Sequence, residues 1–87
     1  MNDERILREM NEVFRKELDV DDLVIGPTTT AKDVPEWDSI SHIQLIAAVE
    51  KHFNIGRFTS TEIQGFKNVG DMAAGIARRL RSKAPGW

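Results

Sequence analysis

Ser39 is the hydroxyl of this chain best placed for chemistry. It stands in the run Trp37-Asp38-Ser39-Ile40, where a turn-rich connection gives way to a strongly apolar helical pattern. Asp38 is suited to cap that helix and Ser39 to open its first turn. Free backbone N–H groups and the positive end of the helix dipole gather there, and both favour an attached phosphate. A serine nucleophile would need more: a general base within hydrogen-bond reach, a group to orient that base, and an oxyanion hole. His42 follows on the same helix, but no local residue supplies an orienting member. His42 and His52 read as surface residues. The sequence thus offers a serine without catalytic machinery, one that a separate enzyme could modify, and the chain reads as no enzyme itself.

Metal chemistry is equally poorly supplied. The chain has no cysteine, which excludes a disulfide framework and a thiolate site. The spacing of His42 and His52 puts them on nearly the same side of a helix but almost three turns apart, too far for one ion to bind both. No metal site is expected.

The elements that must hold Ser39 follow from periodicity. A first helix is predicted from about Asp3 to Leu18, with Ile6, Leu7, Met10, Val13, Phe14 and Leu18 on one stripe. Asn2 is its expected cap. A long connection runs from about Asp19 to Trp37. Pro27 and Pro35 resist helix there, Leu23, Val24 and Ile25 are expected to tuck against the core, and a helical turn fits near Thr30 to Val34. The second helix is predicted from Ser39 to His52 or Phe53. Ile43, Ile46, Val49 and Phe53 would face inward, widened by Leu45. Ile40, Gln44, Ala47 and Lys51 would form a mixed, exposed stripe. Asn54 and Gly56 suit its end. Trp37 should cover the loop–helix junction, with its indole N–H needing a partner if buried.

A short third helix is signalled by Thr59-Ser60-Thr61-Glu62, a capping-box pattern, with Ile63 and Phe66 as anchors. A fourth should follow an Asn68 cap and run from about Val69 to Arg81, burying Val69, Met72, Ala73, Ile76, Ala77 and Leu80; Pro85 and Gly86 would close the ordered region. The fold class is therefore all-α: a small four-helix bundle, three main helices and one short one, with a long loop between the first two. Residues 1–87 read as one domain with an ordered core of about 3–81.

Size and charge bound the function further. A chain of 87 residues has little room for an enclosed catalytic pocket beside its core. No apolar run approaches the roughly 20 residues that cross a bilayer, and the first residues lack a signal-peptide pattern, so no membrane association and a cytoplasmic location are expected. Net charge is −2. It is uneven: five basic against eleven acidic residues up to Asp38 give −6, and seven against three from Ser39 onward give +4. Arg78, Arg79, Arg81 and Lys83 fall at the end of a helix, where cations suit the dipole. With no basic or amide-rich face on the second helix, nucleic acid is not an expected partner.

From Pro35 to about Ile76 the chain resembles the acyl carrier and peptidyl carrier protein family. The matching run begins Trp37-Asp38-Ser39-Ile40-Ser41-His42-Ile43-Gln44-Leu45-Ile46. It continues through Ala48-Val49-Glu50, Phe53-Asn54-Ile55 and Glu62-Ile63 to Phe66-Lys67-Asn68-Val69-Gly70-Asp71-Met72. The short Asp-Ser-Ile core gains its specificity from its distances to Phe53 and to the Asn68-Val69 helix start. The first helix and the long loop also sit where the family has them.

The resemblance implies that Ser39 carries 4′-phosphopantetheine, delivered from coenzyme A by a separate phosphopantetheinyl transferase with Mg²⁺. Acyl or aminoacyl groups would ride on the arm as thioesters and be handled by loading and processing enzymes. Asp38 would cap the helix and help hold the metal ion during arm transfer. Ile40, with Gln44, Ala47 and Lys51, would meet partners, and the carrier would be a monomer. The Trp-Asp-Ser-Ile-Ser-His form looks closer to stand-alone or secondary-metabolic carriers. Members that serve fatty-acid synthesis usually have an acidic second helix, whereas here Glu50 is the one carboxylate between Ser39 and Phe53. The alternative is a small helical interaction module that never takes the arm.

Overall fold

The computed structural model describes residues 3–83. The expected cap at Asn2 and the stop at Pro85-Gly86 lie outside the described residues, as does the side chain of Lys83. The elements run α1 (Asp3–Leu18), a 3-10 turn (Ala31–Asp33), α2 (Ser39–Phe53), α3 (Ser60–Gln64) and α4 (Val69–Lys83). α4 runs two residues past the expected Arg81. Ile6, Met10, Val13, Phe14 and Leu18 form the buried stripe of α1, and that stripe packs on α2 and α4. Between them lie Leu45, Ile46, Val49 and Phe53 of α2, and Val69, Met72 and Ile76 of α4. No helix among the described residues is long and apolar enough to cross a membrane.

The long loop is tied down by polar bonds rather than by its apolar residues alone. Asn11, on α1, reaches across to Ile25: its Oδ1 accepts from the Ile25 N–H at 2.8 Å, and its Nδ2 donates to the Ile25 carbonyl at 3.2 Å. The same Nδ2 donates to the Leu7 carbonyl at 2.9 Å. One carboxamide therefore satisfies both backbone groups of a buried loop residue. The Arg15 Nε adds a bond to the Leu23 carbonyl at 2.6 Å. Farther on, the Val69 N–H donates to the Thr29 carbonyl and the Gly70 N–H to the Pro27 carbonyl, at 2.9 and 2.8 Å. These bonds spend free N–H groups of α4 on the loop. The approach is close enough that a Cβ on Gly70 would stand 2.8 Å from the Pro27 oxygen, so glycine is required there.

Asn11→Leu is expected to cost about 1–3 kcal/mol, because it strands the Ile25 N–H and carbonyl away from water. Urea denaturation measures it. A loss below about 0.5 kcal/mol would mean the loop is held by Ile25 packing alone.

Val24 departs from expectation: it is 76% exposed, while Ile25 is buried and Leu23 partly so. In extended backbone successive side chains alternate sides, so Leu23 and Ile25 turn inward together and Val24 between them faces out. The same loop places the predicted helical turn at Ala31–Asp33 and buries Val34 and Trp37.

α2 brings the second correction. Ile43 is 70% exposed, not part of the inward stripe. At 3.6 residues per turn, Leu45, Ile46, Val49 and Phe53 define an arc whose centre is occupied by His42, and Ile43 lies about 100° away from that centre. Helix angle, not hydrophobicity, decides its position. α2 ends at Asn54, whose left-handed backbone (φ 54°) closes the helix as expected.

The short α3 has its capping box: the Thr59 side chain accepts from the Glu62 N–H, and Glu62 accepts from the Thr59 N–H. Arg79 of α4 pairs with the same Glu62 carboxylate and lies over the Phe58 ring, 5.4 Å from its centroid. Arg79 foremost, with the Thr59 N–H after it, holds the Glu62 carboxyl down at about 2. The cap of α3 thus stays charged over the whole ordinary pH range. Ile63 and Phe66 pack against the core edge, Phe66 edge-on to Phe58 at 5.0 Å.

Candidate functional site

α2 begins as the sequence requires. Asp38 is the N-cap, in extended conformation, and its Oδ1 accepts from the Ser41 N–H at 2.8 Å. That bond is the main reason the Asp38 carboxyl sits below its usual range, so the cap is ionised at neutral pH. Ser39 is the first residue of the helix and is exposed. Asn68 caps α4 in the same way, its Oδ1 accepting from the Asp71 N–H at 2.8 Å.

Trp37 covers the junction. It is buried, edge-on to Phe14 of α1 at 5.1 Å, and its Nε1–H donates to Nδ1 of His42 at 3.1 Å. The two rings stack at 5.9 Å with 26° between their planes. His42 is therefore half-buried, not the surface residue its polarity suggested, and Trp37 supplies the orienting partner the sequence did not reveal. That partner has the wrong polarity for catalysis. An indole N–H only donates, so Nδ1 must accept and the proton of neutral His42 must sit on Nε2. The ring then has no lone pair left to take a proton from Ser39. Burial pushes His42 down from its usual value, which keeps it in this neutral form. His52 is elsewhere: its Nε2 meets Glu9 of α1 at 2.8 Å. Among the described residues no three His, Cys, Asp or Glu gather to hold a metal.

The exposed face of α2 carries Ile40, Gln44, Ala47 and Lys51 as predicted, and Ile43 joins them. Ile40 and Ile43, at 69% and 70% exposure, make this an apolar face. Glu50 does not acidify it, because its carboxylate is turned to the Phe58 N–H beyond the end of the helix.

Two comparisons place this arrangement. A family model described as "Phosphopantetheine attachment site" matches residues 8–76. The solution NMR structure of the holo acyl carrier protein from Geobacter metallireducens is similar at a TM-score of 0.84 and 38% identity, over 90% of this chain and 88% of that one. The chain belongs to the acyl carrier protein family. No curated protein sequence matches it. Acyl carrier proteins are non-catalytic, in accord with a serine that has no base. 4′-Phosphopantetheine is the prosthetic group of this carrier. The residues present fit it: the start of α2 leaves an exposed hydroxyl at a helix N-terminus, where a phosphate is electrostatically favoured.

Proposed function

We propose that this carrier takes its phosphopantetheine arm on Ser39 and presents acyl or aminoacyl thioesters to partner enzymes, in a specialised or secondary-metabolic pathway rather than housekeeping fatty-acid synthesis. The observation that carries the attachment is the exposed Ser39 at the first turn of α2, with the neighbouring imidazole unable to act as its base. The arm, once bound, supplies a terminal thiol for thioester formation. What the chain itself does is hold the hydroxyl in the open, keep an ionised carboxylate beside it, and offer a docking face. Asp38 repels the finished phosphodiester but suits the metal ion that a phosphopantetheinyl transferase brings with coenzyme A.

The pathway reading rests on the face of α2. Ile40, Ile43 and Ala47 with Gln44 and Lys51 present apolar area and one positive charge. Partners that dock through a basic patch meet no carboxylate among these five residues. Partners with an apolar, uncharged or mildly acidic surface fit it. A monomeric, cytoplasmic carrier working with a transferase and with loading and processing enzymes is the reading consistent with these features.

Incubation with coenzyme A, Mg²⁺ and a broad-specificity transferase is expected to add one phosphopantetheine to the intact mass, on the peptide that contains Ser39. A chain that stays at its apo mass with several transferases would instead be an interaction module, with its apolar α2 face as the working surface.

A further inference from the structure

The Trp37–His42 pair has a consequence for the arm. Side chains on a helix lean toward its N-terminus, and His42 does so, with Nδ1 engaged by Trp37, two residues before Ser39. The imidazole therefore lies over the first turn of α2. Residues three apart on a helix are surface neighbours, which puts His42 beside Ser39. With Nδ1 occupied, Nε2–H is the ring's remaining polar group, and it is a donor whose direction is fixed by the stack and the indole bond. Partial burial and a fixed tautomer are a large investment for a histidine with no ion pair among the described residues. The charged group of its own helix end is Asp38, which is turned to the Ser41 N–H. The packing contact behind the pair, Phe14 of α1, is apolar.

We propose that His42 is a positioning residue for the arm, its Nε2–H donating to a phosphate oxygen of the phosphopantetheine on Ser39. This rests on the Ser39 reading above. Trp37 acts through His42, since it fixes which nitrogen carries the proton. The bond restrains the root of the arm against the N-terminal turn of α2 and opposes the repulsion from Asp38, while the thiol end remains free to reach a partner's active site.

The test uses the loaded carrier with ¹⁵N-labelled histidine, at neutral pH and after intact mass has confirmed the arm. Long-range ¹H–¹⁵N correlation is expected to show His42 as the Nε2–H tautomer. Nuclear Overhauser contacts are expected between its ring protons and the methylene beside the phosphate. The ³¹P resonance of the phosphodiester should shift in His42→Phe and stay in place in His52→Gln. Trp37→Phe should lower the Nε2–H fraction and shift the ³¹P line in the same direction as His42→Phe. Should that variant fail to fold, the tautomer of the wild type and the His42→Phe spectrum still decide. An Nδ1–H tautomer, or a His42→Phe line that overlays the wild type, overturns the proposal while the Ser39 reading stands. A chain that takes no arm overturns both.

Discussion

Ser39→Ala is expected to remain at its apo mass under conditions that load the wild type to completion, and to melt as the wild type does. Both halves follow from the position of the hydroxyl. Ser39 is exposed at the first position of α2, and the cap bond that starts the helix comes from the neighbouring Asp38, not from Ser39. Removing an exposed hydroxyl away from a cap or the core changes stability by no more than about 0.5 kcal/mol. The loss of loading is then a loss of chemistry, not of fold. Asp38→Ala gives the converse. It strands the Ser41 N–H and costs about 1 kcal/mol. It also slows loading without abolishing it, since the acceptor hydroxyl is still there. Intact mass against time, with thermal melts of the same samples, separates the two variants. Loading that persists in Ser39→Ala would move the attachment point to another hydroxyl and sink the Ser39 reading.

The start of α2 was open to reading because its signals are local. An N-cap and an open hydroxyl are decided within a few residues of Ser39. The helix stripes of α1 and α4 were equally readable, since burial follows a spacing that repeats over four turns. What escaped was decided by angle or by distant partners. Ile43 reads as inward with its apolar neighbours, although its angle on α2 carries it to the exposed face. His42 looked like a surface residue because imidazole is polar, yet it occupies the centre of the buried arc at the one turn where Trp37 can meet it. Hydropathy cannot show that, but a tryptophan in need of an acceptor, five residues before a histidine on the inner arc, is a signal of it. Asn11 escaped for a similar reason. A lone asparagine on an amphipathic helix carries no pattern, and its partner, the backbone of Ile25, lies fourteen residues away.

The effect of these long-range bonds is that the site and the core are one structure. Trp37 joins them: one side of its indole packs against Phe14, and its N–H holds His42 over the turn that bears Ser39. If Ser39 bears the arm as proposed, it has to be presented in the same place to successive partners. A long loop with only apolar anchors would leave that turn loosely held, because apolar contacts are not directional. The carboxamide of Asn11 and the indole of Trp37 add direction.

Phe14→Ala is therefore expected to have the largest effect on stability and to reach the site as well. Phe14 is fully buried in the C-terminal half of α1, within the core shared with α2 and α4. Truncating such a ring costs about 3–5 kcal/mol, the lost transfer energy plus the cavity left behind. A domain of this length has roughly 4–13 kcal/mol in total, so the variant spends a large part of its margin. The specific consequence is at Trp37, which loses its edge-on partner. With the second tryptophan removed by Trp87→Phe, native-state fluorescence reports on Trp37 alone. It should shift to the red in Phe14→Ala, as water reaches the indole, before any unfolding begins. Val13→Ala, equally on the buried stripe of α1, should cost less and leave the emission in place, because valine is the smaller side chain and the Phe14–Trp37 contact remains. Urea melts and emission maxima of the two variants check this together. A Phe14→Ala loss under about 1 kcal/mol, or an unchanged emission maximum, would mean that Trp37 is held by its bond to His42 and the loop alone, and that the core does not position the serine.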